Sequence, residues 1–270
     1  MTDLRALAIA DRLSGELVGA LAALERALPT VVLPTIGAAE ARSSAGAEPP
    51  DLLVLLQSRG GQFLERELLQ LRSWMPLARA VAVLGSWCEG ELRSGQPLAG
   101  VRRVAWHAWP LRLEREIAAW RSGGGTWSLP VTAAEEELFL QADASAGLRS
   151  TASRAQAVAI RSAHPPWGAC LADALGRRGF SAVSLRPGQL RPSDAFLALV
   201  DDVPLPTGLP ELRARYRTWL PQPIIALADF PRRLDQRLVR EAGAAALLGK
   251  PLDLDELVLL LEQLLPASAR

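Results

Sequence analysis

A cysteine and a histidine in the first half of the chain are of types that could do covalent chemistry together. Cys88 lies in GSWCEGELRSG and His107 in AWHAWP. A thiol beside an imidazole base can act as a nucleophile. A working site also needs a group that orients the base and donors for an oxyanion, and the sequence supplies neither at a recognisable spacing. We therefore expect Cys88 to be a small buried side chain, and we predict no catalytic residue.

Tryptophans are concentrated in the same part of the chain. Six of the eight tryptophans fall in the first half, and Trp87, Trp106 and Trp109 flank Glu89 and His107. Each tryptophan alone is explained by ordinary packing, but tryptophan is also enriched at the centres of protein interfaces. We interpret Trp87, Glu89, Trp106, His107 and Trp109 together as a recognition surface, with small-molecule binding at the same place as an alternative.

Lys250 is the only lysine among the 30 basic residues of the chain. A lysine ammonium is a compact point charge, whereas a guanidinium is a broad planar fork. One lysine in an arginine-rich sequence therefore marks a position where a narrow pocket could require the smaller cation.

The elements that must position these residues alternate between strand and helix patterns. Short apolar runs such as TVVL, DLLVLLQ and AFLALV read as buried parallel strands, VRRVAWHAW as a longer strand, and AAEARSSAGAEPP as a loop. Most strand patterns are followed by a helical one, such as SGELVGALAALERAL. Alternation with short connections predicts an α/β protein with parallel sheets covered by helices.

The pattern occurs twice, separated by a segment rich in glycine and small polar residues. We predict a first domain over 1–122, a linker with a short helix over 123–153, and a second domain over 154–270. Each half ends with a Pro-Leu segment at the head of its last helix, WPLRLEREIAAW and KPLDLDELVLLLEQLL, as expected of an internal duplication.

Composition excludes several function classes. A formal net charge of +1 gives no general attraction to nucleic acid or to an anionic membrane. The apolar runs are shorter than a membrane-spanning helix, and the two cysteines lack metal-ligand spacing. The phosphate-loop, dinucleotide, zinc-protease and serine-hydrolase signatures do not occur. We expect a cytoplasmic protein with no metal, no cofactor and no nucleic acid or membrane partner.

The second half resembles the receiver domain of two-component response regulators. The resemblance is carried by PIIALAD and by REAGAAALLGKPLDLDELVLLLEQLL, which ends at Leu265. It implies a flavodoxin-like fold with strand order 2-1-3-4-5. In that family an aspartate after the third strand accepts a phosphoryl group, an acidic pair after the first strand holds Mg²⁺, a hydroxyl follows the fourth strand, and Lys-Pro follows the fifth.

Two of these four parts have counterparts in the second half. Lys250 precedes Pro251 and would contact the phosphoryl group, and Asp201 and Asp202 follow the third strand pattern. We favour Asp202 as the phosphoacceptor candidate because Pro206 stands four residues after it, as the resemblance implies.

The other two parts are replaced. Ser162, Ala163 and His164 stand where the acidic pair is expected, and Ala228 stands at the hydroxyl position. Magnesium prefers oxygen ligands, charged ones above all, so its site is depleted here. One interpretation is therefore a phosphorylation switch that would bind Mg²⁺, and the other, which we favour, is an ion pair between Lys250 and Asp201 or Asp202.

The first half resembles a receiver domain more weakly, over roughly residues 4–120. Gln57 or Ser58 stands at the position of the phosphoacceptor, and Trp109 stands at the position of the lysine. Asp11 and Ser86 retain functional groups without a partner. This half is interpreted as a pseudo-receiver.

The resemblance and the substitutions together predict a non-catalytic signalling protein that acts as an interaction scaffold or adaptor. The family uses the face of helix 4, strand 5 and helix 5 for partners and for dimerisation, and the same face is expected to bind a protein partner or a second copy here. A switch through Asp202 or Asp201 with Lys250 stays as the first alternative.

Overall fold

The computed structural model describes residues 4–11, 13–88, 90–91, 95, 97–129, 133, 137, 154–186, 188–190, 192, 194–201 and 208–264. The chain divides into two compact units, Met1–Ala142 and Asp143–Arg270. Each unit contains one five-stranded sheet.

In the first unit, all neighbouring strands run parallel, in the order β2-β1-β3-β4-β5. The strands are β1 (Ala6–Ile9), β2 (Thr30–Leu33), β3 (Leu52–Arg59), β4 (Arg79–Trp87) and β5 (Arg102–Ala105), and the helices are α1 (Gly15–Ala27), α2 (Ile36–Ser44), α3 (Glu65–Trp74) and α4 (Trp109–Arg121). Helices cover both faces of this sheet. One face packs Leu17 of α1 and Leu113 of α4. The other packs Ile36 of α2 and Leu68 of α3.

The second unit repeats this strand order as β7-β6-β8-β9-β10, again parallel. Its strands are β6 (Arg154–Ser162), β7 (Phe180–Leu185), β8 (Ala195–Asp201), β9 (Ile224–Asp229) and β10 (Ala246–Lys250), and its helices are α5 (Pro165–Arg177), α6 (Leu209–Tyr216), α7 (Arg233–Glu241) and α8 (Leu254–Leu264). One face packs Leu171 of α5 and Leu257 of α8. The other packs Leu212 of α6 and Val239 of α7.

This architecture confirms the predicted fold class. Both sheets have the 2-1-3-4-5 order of the doubly wound, flavodoxin-like fold. In that fold the carboxyl ends of the strands form the edge at which ligands bind, with the crevice between the first and third strands.

One predicted loop is wrong. The segment AAEARSSAGAEPP was expected to be irregular, but most of it belongs to α2. Thr35 caps this helix, because its hydroxyl accepts a hydrogen bond from the backbone N–H of Ala38 at 3.1 Å. The alanines favour a helix, and Ile36 and Ala39 bury its inner face, which outweighs the small polar composition.

Residues at the start of the predicted linker pack on the first unit. Trp127 lies in a short 3₁₀ turn, Thr126–Ser128, and is 2% exposed. Its ring stacks on Trp109 with centroids 5.9 Å apart. The predicted short linker helix over 133–140 lies outside the described residues, apart from Ala133 and Glu137.

Among the helices described here, none has the length and apolarity needed to cross a membrane.

Candidate functional site

Four polar residues lie at the carboxyl edge of the second sheet. Asp201 ends β8 and is in register with Ser162 at the end of β6. Asp229 ends β9 and is in register with Lys250 at the end of β10. Because the strands are parallel and adjacent, their last side chains meet at one edge.

Asp201 is buried and both of its carboxylate oxygens are engaged. The residue is 1% exposed, its Oδ1 forms an ion pair with Nζ of Lys250, and its Oδ2 accepts a hydrogen bond from the Ser162 hydroxyl at 2.7 Å. The Ser162 oxygen in turn accepts from the backbone N–H of His164 at 3.0 Å. The buried charge is therefore compensated by a cation and a hydroxyl, as a buried carboxylate requires.

Lys250 contacts more than one group. Its Nζ lies 3.5 Å from Oδ1 of Asp229 and 5.0 Å from the ring centroid of Trp167. Attraction to a second carboxylate and to an aromatic face holds the ammonium at the sheet edge. Arginine would place a larger planar group in this space, which gives a physical reason for the single lysine.

The structure brings together Lys250 and Asp201, one of the two predicted aspartates. The favoured phosphoacceptor candidate, Asp202, lies outside the described residues. Ala228 is buried in β9 and presents no hydroxyl, and His164 precedes the first turn of α5.

Sequence reasoning missed Asp229 and Trp167. The strand β9 ends at Asp229, one residue after Ala228. The signal was present, since an acid directly after a buried parallel strand lies at the ligand-binding edge of the sheet. Trp167 gave no such signal, because a helical tryptophan is ordinarily a packing residue.

The groups around Asp201 do not fit the magnesium ion that the fold family implies. Mg²⁺ demands a near-octahedral set of oxygen ligands, usually including carboxylates. Here the ammonium of Lys250 pairs with one oxygen of Asp201, and the hydroxyl of Ser162 donates to the other. The next residue after Ser162 is Ala163, which has no side-chain oxygen that could bind a metal ion. Within the described ranges, no group of three or more His, Cys, Asp or Glu side chains is placed to hold a metal ion.

The carboxyl edge of the first sheet carries a different network. Gln57, at a predicted phosphoacceptor position in β3, is 2% exposed and donates from Nε2 to Oε1 of Glu91 at 2.8 Å. The other oxygen of Glu91 pairs with NH1 of Arg103 at 2.7 Å. An amide, a carboxylate and a guanidinium therefore satisfy one another at this position.

Ser86, Ser58 and Gln62 at that edge are also hydrogen-bonded. The backbone N–H of Ser86 donates to Oε2 of Glu16 at 2.9 Å, and the Ser86 hydroxyl donates to Oε1 of the same side chain. Ser58 donates from its backbone N–H to Oε1 of Gln62 at 2.7 Å, and Gln62 donates to the backbone oxygen of Asp11 at 3.0 Å. Ser86 thus has a carboxylate partner that the sequence did not predict.

Cys88 and His107 are engaged with different partners. The Cys88 thiol is buried and donates to the backbone oxygen of Gln57 at 3.3 Å. Burial raises the pKa of this thiol to about 12, which keeps it protonated at neutral pH. Burial lowers the pKa of His107 to about 4, against a weaker opposing effect of Glu16, and the ring packs edge-on against Trp106. The arrangement agrees with the prediction of a structural cysteine.

The predicted recognition surface needs correction. Trp106 is 7% exposed and Trp109 is fully buried, with its indole N–H donating to the backbone oxygen of Ala20 at 3.0 Å. The expected strand over 101–109 ends at Ala105, and the chain turns so that both rings enter the core. Trp87 is 79% exposed, and Glu89 lies outside the described residues. These tryptophans therefore form core, with Trp87 as the exposed exception.

Comparison with known proteins gives structural neighbours only. No protein-family model and no curated protein matches the chain. A response regulator from Burkholderia multivorans aligns at 22% identity over 42% of this chain and 97% of its own, with a TM-score of 0.32. A CheY-like response regulator from Mesorhizobium loti aligns at 22% identity over 40% of this chain and 97% of its own, with the same TM-score.

A neighbour that spans most of this chain is the C-terminal part of RcsC from E. coli, which contains a linker region and a phosphoreceiver domain. It aligns at 17% identity over 96% of this chain and 91% of its own, with a TM-score of 0.32. At such identities and TM-scores the likeness carries no functional argument, and the fold assignment rests on the strand order of the two sheets.

Proposed function

We propose that this chain is a non-catalytic regulatory protein of two-component signalling, in which two receiver-type units bind a protein partner without a phosphorylation switch. The observation that carries the proposal is that the carboxylate of Asp201 is buried and already paired. Its two oxygens are occupied by Lys250 and Ser162, and the residue is 1% exposed.

Phosphoryl transfer to a carboxylate depends on groups that neutralise charge as it develops on the transferred oxygens. The second unit retains one cation for this task, Lys250, while Ser162 and Ala228 stand where the resemblance implies an acid and a hydroxyl. The ion pair with Asp201 is therefore best explained as a structural contact that holds β8 and β10 at their carboxyl ends.

The first unit supports the same conclusion by a separate route. Gln57 carries an amide, which does not accept a phosphoryl group, and the carboxylate of Glu91 already occupies its Nε2. Arg103 balances the charge of Glu91. At the phosphoacceptor position this edge therefore presents an amide that is held in a polar network with Glu91 and Arg103.

The second unit offers a face suited to a protein partner on α7, which stands at the place of helix 4 in the receiver fold. Leu234 on α7 is 54% exposed, and Phe230, which precedes the helix, is 53% exposed. Arg233 and Arg237 are exposed residues of the same helix. Exposed aromatic and arginine side chains are enriched where proteins bind one another. A partner with apolar and acidic side chains would complement this face.

Site-specific photo-crosslinking tests this proposal. A benzophenone amino acid placed at Leu234 should give a discrete crosslinked species, either a dimer or a complex with one partner, in cells that produce the protein. The matched control is the same substitution at Leu77, an 88% exposed leucine of the first unit. Absence of a product specific to Leu234 would contradict the use of this face.

The switch alternative is supported by one observation, the direct contact of Lys250 with Asp201 at the edge where the resemblance places a phosphoacceptor. It requires a covalent phosphoryl group on Asp201 or Asp202. Small-molecule binding at the tryptophan-rich segment has less support, because Trp106 and Trp109 are core residues.

A further inference from the structure

The carboxylate of Glu91 is bound by groups from three other segments of the first unit. Glu91 lies in the connection between β4 and β5 and is 7% exposed. Its Oε1 accepts hydrogen bonds from Nε2 of Gln57 at 2.8 Å and from the backbone N–H of Gly61 at 3.4 Å. Its Oε2 accepts one from NH1 of Arg103 at 2.7 Å. An amide, a backbone N–H and a guanidinium therefore converge on one anion.

The sheet holds two of these donors in place. Gln57 belongs to β3 and Arg103 to β5, and these strands lie on either side of β4. The amide of Gln57 is oriented by a second hydrogen bond, from its Nε2 to the backbone oxygen of Arg59 at 3.2 Å. Donors that are fixed before an anion arrives need little reorganisation to bind it. We refer to Gln57, Gly61 and Arg103 together as the anion site.

A tight turn fixes the direction of the Glu91 side chain. The backbone N–H of Glu91 donates to the oxygen of Cys88 at 3.2 Å, and the N–H of Gly95 donates to the oxygen of Glu91 at 2.8 Å. A Cβ at residue 95 would lie 2.6 Å from Cγ of Glu91 and 2.8 Å from its backbone oxygen, so the chain passes this close because residue 95 is glycine. The connection therefore delivers the carboxylate to the anion site as a tethered group.

The anion site lies at the edge of the sheet where doubly wound proteins bind their ligands. A second internal carboxylate is bound at the same edge, since Glu16 of α1 accepts from both the backbone N–H and the hydroxyl of Ser86. A tethered group binds at an effective concentration of about millimolar or higher, which disfavours its displacement by a more dilute anion from solution. The donors of the anion site and of Ser86 thus bind carboxylates of the chain itself.

We propose that Glu91 is a built-in ligand: the anion site binds carboxylates, and Glu91 keeps it permanently filled. The first unit is then held in its anion-bound arrangement without an external anion, and it presents a constant surface rather than a switchable one. The proposal goes beyond the adaptor function and does not rest on it, because it concerns the first unit alone and not the exposed face of α7.

Chemical rescue distinguishes an anion site from an ordinary structural ion pair. Glu91→Ala deletes a CH₂COO⁻ group, which acetate reproduces. In chloride this variant should have an unfolding equilibrium constant about a hundredfold higher than the parent, because the charge of Arg103 loses its partner. Acetate at about 0.1 M should lower that constant about tenfold relative to chloride, as binding with a Kd of about 10 mM would. Urea unfolding at neutral pH and equal ionic strength, followed by tryptophan fluorescence, measures both effects.

Three controls separate binding at the anion site from a general effect of acetate. Neutral acetamide should not stabilise Glu91→Ala, because it brings no charge to the guanidinium. Glu91→Gln fills the same space without charge, so it should be less stable than the parent and insensitive to acetate. Glu48→Ala removes a carboxylate that pairs with Arg5 at an exposed position, and acetate should leave its stability unchanged.

Several results would overturn the proposal. One is a Glu91→Ala variant that acetate does not stabilise, or that stays unfolded in both salts. Another is an equal effect of acetate on the parent or on Glu48→Ala. A Glu91→Gln variant as stable as the parent would also contradict it, because the charge of the built-in ligand would then not be needed.

Discussion

Asp201 shows how one buried carboxylate determines what the second unit can do. A carboxylate that is removed from water is tolerated when a cation and hydrogen-bond donors replace the solvent. Lys250 and Ser162 provide both, and Lys250 is also attracted by Asp229. The same contacts that make this charge tolerable occupy the oxygens that an incoming metal ion or phosphoryl group would need.

His107 gives a residue-scale prediction about pH. Burial lowers its pKa to about 4 from an ordinary value of 6.5, so between these values the unfolded chain binds more protons than the folded one. This contribution to stability is complete above pH 6.5 and is lost as the pH falls toward 4. Relative to a His107→Phe variant, the parent should lose about 2 to 3 kcal/mol of unfolding free energy over this range.

Urea unfolding at several pH values, followed by tryptophan fluorescence, measures this difference. Six of the eight tryptophans belong to the first half of the chain, so the signal reports mainly on the unit that contains His107. Unfolding free energies of parent and variant that fall in parallel from pH 7 to pH 4 would show that the ring is not held in its neutral form by burial.

At the residue scale, the sequence predicted which residues lie at the candidate site better than it predicted their hydrogen-bond and ion-pair partners. It identified Lys250 and an aspartate after the third strand, because a lone lysine and an acid at a strand end are visible in the sequence. It did not predict the bond from Ser162, the approach of Asp229 or the pairing of Gln57 with Glu91. Those depend on register and on the path of connecting segments, which side-chain types alone do not specify.

At the scale of elements, α4 and the 3₁₀ turn that follows it form one packing unit. The buried carboxylate of Glu116 accepts from the Thr126 hydroxyl at 2.8 Å and from the backbone N–H of Trp127 at 3.1 Å. Gly125 has φ +86°, and a Cβ there would lie 2.7 Å from Cβ of Ala119. The glycine-rich segment thus lets the chain turn back sharply so that Trp127 covers Trp109.

A pair of tryptophan substitutions tests this packing. Trp127→Ala removes a 2% exposed ring from the core and should lower the unfolding free energy by about 3 to 5 kcal/mol. Trp87→Ala removes a 79% exposed ring and should change it by less than about 0.5 kcal/mol. Chemical denaturation of the two variants beside the parent measures both effects. Equal effects would contradict the assignment of Trp127 to the core of the first unit.

Composition explains why this element was missed. Glycine and small polar residues are typical of linkers, and RSGGGTWSLP has that composition. The position of Trp127 depends on a hydrogen bond to the carboxylate of Glu116 in the preceding helix, α4. The amino-acid composition of the segment does not reveal this contact. The helix α2 was missed for a similar reason, since its few apolar residues, Ile36 and Ala39, become informative only against the sheet they cover.

At the scale of the whole molecule, alternation of strand and helix was enough to predict two doubly wound parallel sheets. Parallel strands require crossovers, and crossovers of one hand leave few possible topologies. The two sheets share one strand order, but the connection after the second strand contains α2 in the first unit, whereas the described residues of that connection in the second unit are not helical. The two units therefore agree in their sheets and differ in the segments that cover those sheets.

The most direct test of the central claim is the intact mass of the purified protein after incubation with Mg²⁺ and acetyl phosphate. Asp201→Asn and Asp202→Asn variants are treated in parallel, and a working receiver domain serves as the positive control. The closed contacts of Asp201 predict that the parent acquires no phosphoryl group under conditions that modify the control. A phosphoryl adduct on the parent that is missing from either variant would contradict the account and make Lys250 part of a working switch.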